Sequence, residues 1–326
     1  EILIGLVGSE MCIRDRIDAD LAKKKPVAIM IGNTNDALPQ YGLSQADVLY
    51  EAPAEGGITR LMPIFQDYSG LDKIGSVRSC RHYYAYYAME FDAIYIHYGQ
   101  AIYATELLES GKVEDLNGLE GAIDSATFYR DKSRKAPHNA FVSTDGIDAG
   151  IELKGYDTEL PSDYTGHYQF NEDDEKEIEL TDGADAAVVQ PGYYINNPWF
   201  VYNSEDGLYY RFQYKKEHMD ENTGTQLAFK NILLQYCDYT KLDDAHGYLD
   251  VESTGEGTGK YITNGKVIDV TWKKASENEP TRYYDASGNE ITLNQGKTMV
   301  CVLLNDMEKK LNIYATEDEF TPPSAK

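Results

Sequence analysis

The sequence contains few cysteines, and their positions exclude several kinds of metal and redox site. Its four cysteines, Cys12, Cys80, Cys237 and Cys301, are far apart and form no CxxC pair. Zinc ribbons and thioredoxin-like redox sites are therefore excluded at the level of motifs. The sequence also lacks an HExxH motif and any paired His and Cys residues at zinc-binding spacing. We expect neither a metal nor a cofactor.

Positive charge is also scarce, and no long apolar run is present. Thirty Lys and Arg residues stand against 55 Asp and Glu residues, which gives a formal net charge of −25. Such a charge repels nucleic acid and anionic lipid surfaces. Hydrophobic residues make up 42% of the chain, but they form no run long enough for a membrane-spanning helix. The chain is expected to be a globular protein that does not bind nucleic acid directly.

The first sixteen residues differ in composition from everything that follows. They resemble the translated sequencing-adapter sequence that caps many reading frames predicted from assembled metagenomes, and no basic segment precedes their apolar part. Residues 1–22 are therefore expected to be artefactual or disordered and to lie outside the folded unit. The authentic N-terminus, with any export signal, is then expected to be missing from this sequence.

From residue 23 onward, strand patterns alternate with helical ones. Apolar runs at residues 27–31, 47–51, 58–66 and 93–97 predict strands. A helix is predicted to follow Ser79, which is a suitable N-cap, and another to span residues 100–109 and to stop before Gly111. This alternation predicts an α/β domain over residues 23–150, in which helices cover a mixed, partly parallel sheet. Functional residues are expected at strand ends and helix starts.

The second half of the chain shows a different pattern, which indicates mostly sheet. An acidic stretch at residues 172–182 lies within a predicted connection over residues 151–189. Beyond it, Asp206-Gly207, Asn264-Gly265 and Ser287-Gly288 separate β-prone runs, as hairpin turns do. We therefore predict an α+β protein with a β-rich C-terminal domain at residues 190–315 and a tail at 316–326. Two separate cores are expected, with the first proteolytic cut between residues 159 and 182.

Arginines and histidines are concentrated between residues 51 and 141, and they predict an anion-binding pocket. The candidate residues are Glu55, Arg60, Arg78, Ser79, Arg81, His97, His138 and Asn139. Guanidinium groups hold planar or tetrahedral anions through paired hydrogen bonds, and imidazoles transfer protons near neutral pH. Arg78 and Arg81 flank the predicted helix start at Ser79, where the helix dipole is already positive. A bound anion would resolve that conflict.

A second interpretation of these residues needs no ligand. Glu51 or Glu55 could fold back onto the arginines and form a buried ion-pair network without any catalytic role. The catalytic candidates are His97, His138 and Glu55, whereas Ser79 lacks the GxSxG elbow of a serine nucleophile. Arginines and histidines that converge on one position would favour chemistry, and arginines fully paired to glutamates would favour a structural role.

Several short segments, in order along the chain, carry a family resemblance. In the first half they are PVAIMIGN at 26–33, EGGITR at 55–60, GSVRSCR at 75–81, IHYG at 96–99 and APHN at 136–139. In the second half they are GKVIDVTWKK at 265–274, YYDASGNE at 283–290 and GKT at 296–298. Together they resemble the two-domain YerB-like lipoprotein family of Gram-positive bacteria.

The resemblance implies a protein tethered by a lipid to the outer face of the cell membrane. The family carries no settled activity, and the expected signal peptide with its lipid-acceptor cysteine is absent from this sequence. Two hypotheses about function follow. The first is an envelope lipoprotein that binds an anionic small molecule or cell-wall polymer through the Arg/His pocket, with a possible envelope protein partner. The alternative is a hydrolase or phosphodiesterase that uses the same pocket for catalysis.

Overall fold

The structure is a computed structural model that describes residues 20–162, 164, 166–171 and 176–323. The predicted artefactual segment, residues 1–22, lies outside the described residues except for its last three. Among the described residues, no helix combines the length and apolar character needed to cross a membrane.

The first half of the described chain mixes strands with short helices. Its strands are β1 (Val27–Ile29), β2 (Ile31–Gly32), β3 (Val48–Pro53), β4 (Thr59–Phe65), β5 (Ile74–Gly75), β6 (Ile94–His97), β7 (Asp115–Asn117), β8 (Phe128–Arg130) and β9 (Ala140–Val142). Its α-helices are α1 (His82–Met89), α2 (Thr105–Glu109), α3 (Gly121–Thr127) and α4 (Thr144–Lys154). Short 3-10 helices lie at Leu21–Lys23, Asn35–Ala37, Leu43–Gln45, Glu55–Gly57 and Ile102–Ala104.

In its described part, the second half contains strands and two 3-10 helices. The strands are β10 (Ala184–Asp185), β11 (Val188–Gln190), β12 (Trp199–Asn203), β13 (Leu208–Gln213), β14 (Lys216–Glu217), β15 (Met219–Asp220), β16 (Thr225–Gln226), β17 (Ala228–Phe229), β18 (Asn231–Cys237), β19 (Tyr239–Lys241), β20 (Leu249–Val251), β21 (Gly255–Thr263), β22 (Lys266–Lys274), β23 (Arg282–Tyr284), β24 (Thr298–Leu304) and β25 (Asn312–Tyr314). The 3-10 helices are Asn305–Lys310 and Glu317–Glu319.

One large sheet runs through both halves of the chain. Its main order is β10-β22-β21-β18-β24-β3-β4-β1-β6-β7, and β24 lies parallel to β3 with Thr298 opposite Val48. Strands β3, β4, β18 and β24 are buried along their whole length, as expected for strands covered on both faces. A smaller sheet, β14-β13-β12-β11-β25 with β17 beside β13, belongs to the second half alone.

The fold is therefore α+β, with a mixed, partly parallel sheet in the first half and mostly antiparallel pairing in the second, as predicted. The expectation of two separate cores is wrong. One hydrophobic cluster extends from Val27 to Met307 and includes residues of both halves. The physical reason is the pairing of β24 with β3, which closes the open edge that each half would otherwise present. The predicted domain boundaries themselves remain a prediction.

The predicted N-cap at Ser79 is also wrong, although the helix is present. Helix α1 begins at His82, its N-cap is Arg81, and the Arg81 side chain makes no capping hydrogen bond. The Ser79 hydroxyl instead donates to the Tyr98 carbonyl at 3.2 Å. Because the stretch before α1 is bound to β2 and to the loop after β6, the chain enters the helix two residues later than the sequence pattern indicates.

A buried ion network fastens α1 to the second half. Glu90, next to the end of α1, accepts hydrogen bonds from Lys274 Nζ at 2.6 Å, from Thr281 Oγ1 at 2.9 Å and from its backbone amide at 3.0 Å, and lies 2.5 Å from His167 Nε2. Glu90, Lys274 and His167 are fully buried side chains. Burial alone would raise the pKa of Glu90, but Lys274 and His167 lower it to about 2.

Candidate functional site

Glu55 and Arg60 lie close together where β3 turns into β4. Arg60 is the second residue of β4, and Glu55 begins the 3-10 turn Glu55–Gly57 that joins the two strands. Gly56 and Gly57 have positive φ values of 68° and 76°, a conformation that glycine adopts without steric cost. The two glycines therefore allow a turn tight enough to bring Glu55 back towards Arg60.

Arg78 and Arg81 reach the same place from the segment between β5 and α1. The Arg78 amide donates to the Met30 carbonyl at 2.8 Å, which fixes this segment beside the central strands. Gly32 leaves room for the stem of Arg78, since a Cβ atom at Gly32 would lie only 3.0 Å from Arg78 Cγ. We call Glu55, Arg60, Arg78 and Arg81 the arginine cluster.

Glu55 neutralises only part of the arginine cluster. Arg81 binds both of its carboxylate oxygens, with Nε donating to Oε2 at 2.9 Å and Nη2 to Oε1. Arg60 Nη2 lies 3.6 Å from Glu55 Oε1. Among the described residues, Arg78 pairs with no carboxylate, and its Nη1 donates to the Pro137 carbonyl at 2.9 Å. Three guanidinium groups against one carboxylate leave the cluster with two uncompensated positive charges.

Burial and mutual repulsion disfavour the charged form of two of these arginines. The Arg60 side chain is only 4% exposed, and burial, followed by the charges of Arg81 and Arg78, lowers its pKa to about 10. Burial, followed by Arg81, also lowers the pKa of Arg78. Burial alone would raise the pKa of Glu55, but the hydrogen bonds and charge of Arg81 keep it below its ordinary value. Glu55 therefore stays ionised near neutral pH.

Unpartnered polar atoms accompany this excess charge. The Nε atoms of Arg60 and Arg78 are buried, and neither has a hydrogen-bond partner among the described residues. Buried donors without partners are rare in folded proteins because each carries a desolvation cost. In a cluster with excess positive charge, two such donors favour an anion as their missing partner.

His138 lies against the arginine cluster, and Asn139 supports the same loop. Burial, followed by the charge of Arg78, lowers the pKa of His138, and its buried Nδ1 has no partner among the described residues. The imidazole is therefore neutral near pH 7 and close enough to Arg78 to feel its charge. Asn139 Oδ1 accepts a hydrogen bond from Arg130 Nη1 at 2.8 Å, so this amide positions another arginine.

The structure does not bring His97 to the open side of the arginine cluster. Its side chain is fully buried, with Nδ1 2.9 Å from the Gly99 carbonyl and Nε2 2.9 Å from Asp115 Oδ2. This placement argues against the prediction that His97 is part of the anion-binding pocket. His97 is the last residue of β6, which lies beside β7. Its two ring nitrogens therefore bind Asp115 on β7 and Gly99 in the loop after β6.

Glu51, the other carboxylate considered for the arginines, is used elsewhere. Its Oε2 accepts from Arg211 Nη2 at 2.7 Å, and both side chains are fully buried. Its Oε1 accepts from Asn33 at 3.0 Å, from Thr59 at 2.6 Å and from Asn196 at 2.6 Å. This network joins β3 to the second half and leaves Glu55 as the carboxylate that balances the arginine cluster.

Sequence reasoning missed a run of cations next to the predicted site. Residues 130–138, which we call the basic loop, contain four Lys and Arg residues and one acid, in a chain whose net charge is −25. The loop connects β8 to β9, and Arg78 reaches its Pro137 carbonyl. Counting charge in short windows would have found it, because the loop opposes the sign of the whole chain.

The arrangement can bind an anion more readily than it can perform hydrolysis. Arg60, Arg78 and His138 have polar atoms that lack a partner among the described residues and lie beside uncompensated charge. The Ser79 hydroxyl donates to a backbone carbonyl, which is not the arrangement of an activated nucleophile. Among the described residues, no group of three or more His, Cys, Asp or Glu side chains could hold a metal ion.

Similarity to known proteins extends over most of the chain. The family model described as "Protein of unknown function (DUF3048) N-terminal domain" matches residues 14–157, and the DUF3048 C-terminal domain model matches residues 189–300. A relative from Bacillus subtilis (strain 168), named "Putative lipoprotein YerB", is 32% identical over 266 residues, which cover 80% of this chain and 76% of the relative. The crystal structure of YerB protein from Bacillus subtilis is similar with a TM-score of 0.82 and 28% identity, covering 96% of this chain and 100% of that chain.

Proposed function

This chain belongs to the DUF3048 family, and from that premise we propose that it is an extracytoplasmic envelope lipoprotein whose arginine cluster binds an anion. The ligand carries a phosphate or carboxylate group and is of the kind found in cell-wall material. Arg60, Arg78 and His138 contact it, and Arg81 is held by Glu55 beside the binding position.

The observation that carries this proposal is the unbalanced charge of the arginine cluster. Arg81 has a carboxylate partner at hydrogen-bonding distance, whereas Arg78 has none among the described residues and Arg60 shares Glu55 at 3.6 Å. A largely buried group of like charges is unfavourable, and a bound dianion would supply the missing counter-charge. A purely structural network would pair each arginine.

The proposed location rests on the relative's name. The Bacillus subtilis relative is named as a lipoprotein, and the same kind of anchor would place this chain on the outer face of the cell membrane. Cell-wall polymers and their fragments bear phosphate and carboxylate groups, so an anion site on that side of the membrane would meet ligands of matching charge.

Phosphate-induced thermal stabilisation of the protein and its Arg78→Ala variant tests the proposal. We expect the wild type to melt about 5 °C higher at about a hundredfold excess of phosphate over its dissociation constant. The Arg78→Ala variant should lose this shift, because Arg78 supplies a charge that pairs with no carboxylate among the described residues. Without phosphate the variant should melt close to the wild type, since the substitution removes a repelled cation.

Lys273→Ala serves as the charge-matched control. Lys273 lies on β22, five strand positions from β4 in the sheet order, which is about 24 Å at the usual strand spacing. Its side chain is 59% exposed, so the substitution changes the net charge equally without touching the arginine cluster. An equal phosphate shift in wild type and Arg78→Ala would overturn the proposal.

His138 favours the hydrolase alternative enough to warrant a direct assay. Its imidazole is neutral near pH 7 and lies beside Arg78, as a general base next to a developing negative charge would. Slow cleavage of bis(4-nitrophenyl) phosphate that disappears in His138→Ala would support catalysis. A rate equal in the wild type and the variant would remove the support for this alternative.

A further inference from the structure

The basic loop, residues 130–138, adds positive charge next to the arginine cluster. Its cations are Arg130, Lys132, Arg134 and Lys135. Its single acid, Asp131, forms an ion pair with Lys73 at 2.7 Å, so the acid does not offset the cations of the loop. Among the described residues, none of these four cations pairs with a carboxylate.

Arg134 fixes the basic loop to the segment that lies beside Arg78. Arg134 donates to the carbonyls of Pro39 at 2.7 Å and of Ala37 at 2.8 Å. Ala37 in turn lies beside Gly32, where the Arg78 stem passes. Carbonyl oxygens fix the position of a guanidinium group but do not cancel its formal charge, so the loop presents a fixed positive surface.

The other contacts of the loop leave its charge uncompensated too. Arg130 lies over the Tyr98 ring at 4.1 Å and donates to Asn139. Lys132 and Lys135 are exposed. A compact anion held between Arg60 and Arg78 would leave these lysines in water, whereas a longer ligand could contact both the arginine cluster and the loop.

We infer that the ligand of this site is a polyanion, an oligomer with phosphate or carboxylate groups repeated along it, whose first anion occupies the arginine cluster and whose next ones lie along the basic loop. This inference rests on the proposed function, since it extends the same site. The strongly acidic remainder of the chain does not prevent it, because salt screens charges beyond about 8–10 Å.

A non-nucleotide polyanion fits the loop better than a single-stranded nucleic acid. Nucleobases bind through stacking on free aromatic faces. Beside the loop, however, Arg130 covers Tyr98, and Lys73 lies 3.9 Å from the centre of the Tyr41 ring and 4.6 Å from that of Phe141. These three rings already hold cations, which favours charge recognition over base stacking at the loop.

The test compares inorganic phosphate with poly(glycerol phosphate) and poly(galacturonate) oligomers by isothermal titration at several salt concentrations. We expect at least one oligomer to bind the wild type at least about tenfold more tightly per molecule than phosphate does. The Lys132→Ala/Lys135→Ala variant should keep its phosphate affinity but lose this advantage. Its salt slope for the oligomer should fall by about one for each lysine removed.

Lys23→Ala/Lys24→Ala is the matched control, because it removes two exposed lysines at the opposite end of β4. The Lys24 carbonyl accepts from Gln66, just beyond the last residue of β4, while Arg60 lies near its first. Oligomer affinity should be unchanged in this variant.

The outcomes separate the inference from the proposed function. Phosphate binding that depends on Arg78, together with oligomer binding that does not depend on Lys132 and Lys135, would overturn the inference alone. An absence of anion binding would overturn both. Tighter binding of a single-stranded oligonucleotide than of either oligomer would overturn the inference in favour of nucleic acid. A preference between the two oligomers would identify phosphate or carboxylate as the repeated group.

Discussion

At the scale of single residues, Glu55 controls how much positive charge the site retains. It is committed to Arg81 through two hydrogen bonds and reaches Arg60 only at 3.6 Å, so among the described residues no carboxylate pairs with Arg78. The sequence could predict that these residues meet, because their short motifs carry charge against the sign of the chain. It could not predict that His97 turns inward to Asp115, since that depends on which strand lies beside β6.

His138 should couple anion binding to pH. Its folded pKa lies below 6.5 because of burial and Arg78, so the unfolded state binds the proton more readily and His138 costs stability as pH falls below 6.5. A bound dianion would favour the imidazolium form. Sulfate, whose charge is constant near neutral pH, should therefore bind more tightly as pH falls, with uptake of about one proton.

Titration calorimetry in two buffers of different ionisation enthalpy measures that proton uptake. In His138→Asn the uptake at this site should vanish and the affinity for sulfate should change little with pH. Identical proton uptake in wild type and variant would show that His138 does not sense the anion.

At the scale of elements, local sequence patterns predicted five strands of the first half and hairpin turns of the second, whereas the pairing between distant strands could not be predicted. The apolar runs became β1 to β4 and β6, and the Asp206-Gly207 and Asn264-Gly265 turns join β12 to β13 and β21 to β22. Besides its neighbour β4, β3 pairs with β24, about 250 residues further along the chain. No local pattern encodes such a contact, because both strands are mostly apolar and buried along their whole length, so they would fit several neighbours.

Breaking the buried Glu90 network should destabilise the protein strongly. Lys274→Met leaves the Glu90 carboxylate without its main cation, and we expect a loss of about 3–5 kcal/mol in the free energy of unfolding. Glu90→Gln combined with Lys274→Met should recover part of this loss, because no charge is then left buried. Urea denaturation monitored by circular dichroism measures both values.

The pH dependence of this network has a defined sign. The pKa of Glu90 is lowered from 4.5 to about 2, so its stabilising contribution is present above pH 4.5 and is lost as pH falls towards 2. A Lys274→Met variant within about 1 kcal/mol of the wild type would mean that the ion pair contributes little.

At the scale of the whole molecule, the shared sheet makes the two halves of the chain one structural unit. The sheet crosses from the second half to the first at β24 and β3, and the Glu51–Arg211 and Glu90–Lys274 ion pairs bind the halves at two further places. The sequence indicated a change of pattern after residue 150, but it did not indicate that one sheet continues through both halves. Composition indicates local structure and does not show which strand pairs with the edge of a sheet.

We therefore predict a single cooperative unfolding transition. Scanning calorimetry should give a calorimetric enthalpy equal to the van't Hoff enthalpy. Limited proteolysis is still expected to cut first between residues 159 and 182, but the two fragments should co-elute in gel filtration because the sheet holds them together. Two separate transitions, or fragments that separate without denaturant, would contradict a shared core.

The central claim is that the arginine cluster holds an anion, and anomalous diffraction from crystals soaked in tungstate tests it most directly. Tungstate is a tetrahedral dianion with a strong anomalous signal, so its position can be assigned without ambiguity. We predict a peak bounded by Arg60, Arg78 and His138, with oxygen atoms about 3 Å from the Nε atoms of Arg60 and Arg78, which have no partner among the described residues. Tungstate bound at other surfaces with no peak at the arginine cluster would contradict the account.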